Sequence, residues 1–189
     1  LFASDENNVV KPQMVDKYTV SDDKTLWTFT LRDGLEWHDG TPVTSEDCIA
    51  SIARWGKRDA MGLKLMDFVA EFKAVNPKTF TMKLKEPFGF VQLGLGAVAG
   101  MAPSIMREKE ALTDPQTQVK EAIGSGPFMF AKDQWVPGSK AVYLKNKDYV
   151  PRTEAPSSFA GAKIPGVDRI ELVWISDPQT AMSALVNGE

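Results

Sequence analysis

Residues 26–55, LWTFTLRDGLEWHDGTPVTSEDCIASIARW, leave the backbone few options. Trp27, Phe29 and Leu31 alternate with Thr28, Thr30 and Arg32, the two-residue period of a strand with one buried face. Asp33-Gly34 then supplies a turn, because Gly accepts positive φ and Asp can bond its own backbone. Leu35 and Trp37 resume the apolar face and predict a short return strand. Asp39-Gly40 turns again, and Pro42 discourages further pairing. Thr44 stands where a helix N-cap belongs, with Asp47 three residues on in a shortened capping box. Glu46 and Asp47 place negative charge against the helix dipole. Ile49, Ile52, Ala53 and Trp55 give that helix a broad apolar face. Strand, turn, strand, turn and helix is the expected order.

The remaining punctuation predicts a mixed α+β chain. Residues 72–75 and 80–84 read as strands joined at Asn76-Pro77-Lys78, with Phe80, Met82 and Leu84 on one face and Thr81 and Lys83 on the other. Residues 103–112 read as a helix with Pro103 near its first turn. Residues 115–123 read as another, started by Asp114 and stopped at Gly124. Gly124-Ser125-Gly126-Pro127 is the sharpest break. Residues 128–135 and 140–145 predict a hairpin, residues 148–167 an irregular passage, residues 169–175 a strand, and residues 179–186 a helix with Pro178 at its first position.

Several function classes drop out. The net charge of −3 comes without a basic patch, which argues against nucleic acid as a partner. A single cysteine, Cys48, excludes an intrachain disulfide framework and reads as a small core residue. With only His38 and Cys48 available, no zinc finger or histidine metal cluster can be assembled; neither a metal nor a cofactor is expected. His38 reads as a hydrogen-bonding turn residue. Residues 87–106 carry no charge, but Pro87, Pro103 and four glycines make them a buried helix-and-loop passage rather than a membrane span. Gly94-Leu95-Gly96 lacks the third glycine of a dinucleotide fingerprint. Ser125 lacks the flanking glycines of a nucleophile elbow, since Ile123 and Pro127 stand there. Glu36 and Asp39 form a conceivable glycosidase pair, yet strand and turn roles account for both. No base and nucleophile are brought together, so no catalytic residue is assigned and the chain is not expected to be an enzyme. Trp27, Trp37 and Trp55 fall at core-facing positions.

A resemblance covers nearly the whole chain. Tyr18 to Asp23 followed by Trp27 to Arg32, the Trp37-His38-Asp39-Gly40-Thr41-Pro42 turn with its helix start, Pro87-Phe88 with Ala102-Pro103, Gly124 to Phe128, and Lys145-Asn146-Lys147-Asp148-Tyr149 occur in a fixed order. That order resembles the peptide- and nickel-type extracellular solute-binding proteins that feed ABC transporters. The resemblance implies a periplasmic-binding-protein-like fold that closes on its ligand by hinge motion. Residues 1–112 would be an accessory β-rich lobe and residues 113–189 part of the first ligand-binding lobe, the second lobe lying outside this sequence. It implies a monomer, periplasmic or extracellular, with or without a lipid anchor in the full-length protein. Oligopeptides or dipeptides would be captured and passed to a membrane permease. A nickel chelate, haem or an oligosaccharide are the alternatives within the fold, and a hydrolase the alternative outside it. By position in the family pattern, Ala99, Gly100 and Met101 would approach the ligand, where small residues admit backbone groups closely. Gly124, Ser125 and Gly126 would form a turn at the same junction. Plain loop geometry accounts for both stretches equally well.

Overall fold

The structure is a computed structural model that describes residues 1–96, 102–121 and 123–188. Its organising element is a four-stranded antiparallel sheet. Strand β3 (Val15–Val20) pairs with β4 (Leu26–Leu31), β4 with β6 (Thr79–Leu84), and β6 with β5 (Val69–Asn76). The register aligns Tyr18, Phe29, Phe80 and Ala74 across the strands, and Val20, Trp27, Met82 and Phe72 beside them. Period-two alternation thus puts the large apolar side chains in two adjacent rows, while Thr28 and Thr81 pair on the other face. Phe29 and Phe80 are sealed from solvent, their ring centroids 5.0 Å apart.

Helix α1 (Ser45–Trp55) sinks Cys48 and Ile52 into the same core. Its start is the predicted one: Thr44 Oγ1 accepts from Asp47 N–H, and the Asp47 carboxylate accepts from Thr44 N–H. Helix α2 (Ala60–Phe68), capped by Asp59, follows and had no signal strong enough to be predicted. A short ribbon of β1 (Phe2–Ser4) and β2 (Val10–Pro12) packs against α3 (Val91–Gly96). In the uncharged stretch, Val91 and Leu95 are fully buried, as expected of core.

A second, three-stranded antiparallel sheet comprises β7 (Phe128–Phe130), β8 (Lys140–Lys145) and β9 (Arg169–Val173), with a 3-10 turn at Lys132–Gln134 inside the first connection. Helix α5 (Pro178–Asn187) follows, with Asp177 as its N-cap and Pro178 in its first turn.

Three expectations fail. The return strand at Leu35–Trp37 reduces to an isolated bridge between Glu36 and Pro42. Both flanks of β4 are already paired, to β3 and β6, so no edge remains for it. Leu35 and Trp37 are buried nonetheless. The helix expected over residues 103–112 shrinks to α4 (Glu108–Ala111). The one expected over residues 115–123 is absent from its described residues, where Asp114 instead makes a turn by accepting from Gln116 N–H. In both, α1 and the turn that follows it take backbone groups that a helix would have used. Ser51 Oγ bonds both Met106 N–H and its carbonyl. Arg54 donates to the carbonyls of Thr113 and Thr117, and Arg58 to that of Pro115. Carbonyls satisfied from outside have less to gain from a helical ladder.

Candidate functional site

The predicted site falls in two parts. Ala99, Gly100 and Met101 lie outside the described residues. Gly124, Ser125 and Gly126 lie within them, and the chain's single histidine holds their turn.

His38 reaches this turn because Asp39-Gly40, with Gly40 at φ +80°, folds the segment back. Its backbone N–H donates to Gly124 O at 2.9 Å. Gly124 N–H donates to His38 Nδ1 at 3.2 Å, and Nε2 lies 3.0 Å from Gly126 O. An Nδ1 that accepts leaves the proton on Nε2, where it donates to the carbonyl, so the surroundings fix one neutral tautomer. A Cβ at Gly124 would stand 3.0 Å from His38 Cε1, which accounts for the smallest residue there. Asn146 Nδ2 donates to Gly126 O as well, tying the end of β8 to the same turn. His38 is therefore the hydrogen-bonding turn residue expected, but its partners are a remote turn rather than its own.

Two charged clusters brace this joint. Asp47, almost fully buried, accepts from Thr44 N–H and Trp37 Nε1–H through Oδ2 and from Glu108 N–H through Oδ1. One carboxylate thereby fixes a helix start, a core indole and the passage leading to the turn. Arg107 bridges Asp39, Glu110 and Glu121, with Lys109 alongside the two glutamates. Hydrogen bonds from Thr41, its hydroxyl first and its backbone second, hold the Asp39 carboxyl below the usual range, and Arg107 adds to them. A glycosidase general acid needs the opposite displacement. Asp39 is a turn anchor, and Glu36 lies exposed beside it.

The arrangement suits holding a backbone in place. Both His38 nitrogens are engaged by peptide groups, which leaves neither as a base toward Ser125. Among the described residues, no group of three or more His, Cys, Asp or Glu side chains is placed to hold a metal ion. Among them, too, no helix is long and apolar enough to cross a membrane. Asp47, Arg107 and Asn146 were not singled out from sequence as junction residues. Local spacing marked Asp47 only as part of a helix cap; the partners Glu108 of Asp47, Asp39 of Arg107 and Gly126 of Asn146 lie 61, 68 and 20 positions away and leave no local signal.

Residues 9–189 match the family model of bacterial extracellular solute-binding proteins, family 5, middle region. The chain belongs to that family. A probable peptide ABC transporter periplasmic-binding protein of Sinorhizobium fredii is 46% identical over 193 aligned positions, which cover 100% of this chain and 35% of the relative. Among solved structures, NikZ of Campylobacter jejuni in complex with Ni(L-His) superposes with a TM-score of 0.73 at 21% identity, covering 100% of this chain and 35% of that one. The oligopeptide-binding protein AppA of Bacillus subtilis in complex with a nonapeptide gives 0.71 at 20%, covering 100% and 36%. These structural likenesses establish the periplasmic-binding-protein fold. This family-5 chain spans about a third of the length of the relatives it matches.

Proposed function

We propose that the protein carrying this chain is the capture component of an ABC importer and binds oligopeptides or dipeptides. The observation that carries the reading is the identity of 46% along the entire chain to a relative named as a probable peptide ABC transporter periplasmic-binding protein. In this reading residues 1–112 form an accessory lobe, and residues 113–189 contribute part of the first ligand-binding lobe. Ala99, Gly100 and Met101 approach the ligand, and Gly124 to Gly126 form a turn near the same lobe junction. Capture is reversible, the lobes close over the peptide, and a membrane permease receives it in the periplasm. No bond is made or broken. The His38 clasp supports this division of labour, because a turn held by three hydrogen bonds to one residue keeps its backbone in a fixed place for a partner.

Native mass spectrometry of the full-length protein, purified without dialysis against denaturant, tests it. A ladder of bound masses matching short peptides is expected. A single bound nickel chelate or sugar mass would overturn the peptide assignment while leaving the fold untouched.

A further inference from the structure

The turn at Gly124–Gly126 is held by a histidine, the side-chain type whose charge changes between about pH 5 and 8. The ring grips both peptide groups only while Nδ1 is bare, because Nδ1 accepts from Gly124 N–H at 3.2 Å while Nε2 donates to Gly126 O at 3.0 Å. An imidazolium carries a proton on each nitrogen, so Nδ1–H would confront Gly124 N–H, donor against donor. Turning the ring over brings Cδ2 and Cε1 to the two peptide groups in place of the nitrogens. Sliding it is blocked as well: Cε1 already lies against Gly124, where an added Cβ would stand 3.0 Å away. Gly126 O keeps Asn146 Nδ2 as a donor when the ring leaves.

A protonated ring has somewhere to go. His38 also lines a narrow crevice with Gly34, Glu36, Asp148 and Tyr149. Glu36 comes from its own segment, Asp148 and Tyr149 from the chain just after β8, and the two carboxylates attract an imidazolium. The neighbouring Asp39 is already engaged by Thr41 and Arg107, and Arg107 in turn by Glu110 and Glu121, with Lys109 beside the glutamates. We infer that His38 is a proton-controlled positioning residue: neutral, it pins the turn at Gly124–Gly126, and protonated, it lets go and swings toward Glu36 and Asp148. Release takes up a proton, so by linkage the pin tightens as pH rises and loosens as pH falls. That acid also weakens capture rests on the function proposed above, in which this turn lies near the lobe junction; the pin itself does not.

Isotope-edited NMR on the full-length protein, with labelled glycine and histidine, tests the pin without any ligand. From about pH 8 to about pH 5 the Gly124 amide should move in one step, together with the His38 ring nitrogens. His38→Asn leaves an acceptor at the Nδ1 position but cannot take a proton, so the step at Gly124 should vanish. Glu36→Gln combined with Asp148→Asn removes the carboxylates that attract the imidazolium. It should move the step to lower pH, and it serves if His38→Asn fails to fold. A Gly124 amide that stays put while the ring titrates, a ring that never titrates across the range, or the same Gly124 step in His38→Asn overturns the proposal. The apparent affinity for a mixture of synthetic tripeptides, measured at both ends of the range, separates the two readings. It should fall about fivefold in acid for the parent, the worth of one hydrogen bond, and stay level in His38→Asn. Equal affinity at both ends overturns the link to capture. Binding at neither counts against peptide capture and leaves the NMR result standing.

Discussion

Replacing Asp47 by Ala should be among the most damaging single changes available in α1, because one almost fully buried carboxylate serves three elements. Losing the reciprocal half of the capping box takes the acceptor from Thr44 N–H, which costs about 1 kcal/mol. Trp37 Nε1–H, in a residue 3% exposed, loses its acceptor inside the core, which costs about 1–3 kcal/mol. Glu108 N–H loses its 2.7 Å bond but can turn toward water, adding about 0.5 kcal/mol. The sum is roughly 2.5–4.5 kcal/mol, against a typical total of about 5–15 kcal/mol for a folded domain. Asp47→Asn keeps the shape but presents an NH2 group to donors that need an oxygen, so about half the loss is expected. Urea unfolding followed by far-UV circular dichroism measures both, with an unchanged m-value as the sign that the comparison is fair. The indole N–H resonance of Trp37 should shift in each variant. An Asp47→Ala protein within about 0.5 kcal/mol of the parent would refute the hub, since that is the scatter of an ordinary surface change.

Cys48 is fully buried, and burial pushes its thiol up to about 12, so iodoacetamide at pH 8 should label it only after unfolding; rapid labelling of the native protein would contradict the packing of α1. Hydrogen bonds from Arg152 hold the Glu154 carboxyl down at about 2. A depressed folded value means the stabilisation is present above the unfolded range near 4.5 and is lost as pH falls toward 2. Exchange protection at Phe159 should therefore fall through that window, and Glu154→Gln should remove the pH dependence; persistence of the same profile in the variant would exclude this pair as its source. Phe80→Ala opens a hole beneath the stacked Phe29 ring and should cost about 3–5 kcal/mol in the same urea assay. A loss below about 1 kcal/mol would mean the sheet face repacks freely.

The legible parts of the chain were those whose partners are near in sequence or repeat with a period. Alternation in β4 and β6 announced the buried rows, Thr44 and Asp47 announced the start of α1, and Gly34 and Gly40 announced turns that require positive φ. The ordered segments that carry the family resemblance were legible too, from Tyr18 through Tyr149. Where a segment's polar groups are claimed by a distant element, the same reasoning failed. Residues 103–123 have acceptable helix composition, yet Ser51, Arg54 and Arg58 reach across and satisfy that backbone without a helix.

Sequence alone therefore determined the alternating faces, the capped helix, the buried thiol and the membership of a solute-binding family, because each depends on local spacing or on ordered motifs. Only the tertiary structure decided which turn His38 holds, which three elements Asp47 joins, and that a proline-rich passage is hydrogen-bonded to Ser4, Gln13 and Val15. Those choices turn on single hydrogen bonds between residues 61 or more positions apart, and no local pattern records the partner at the other end.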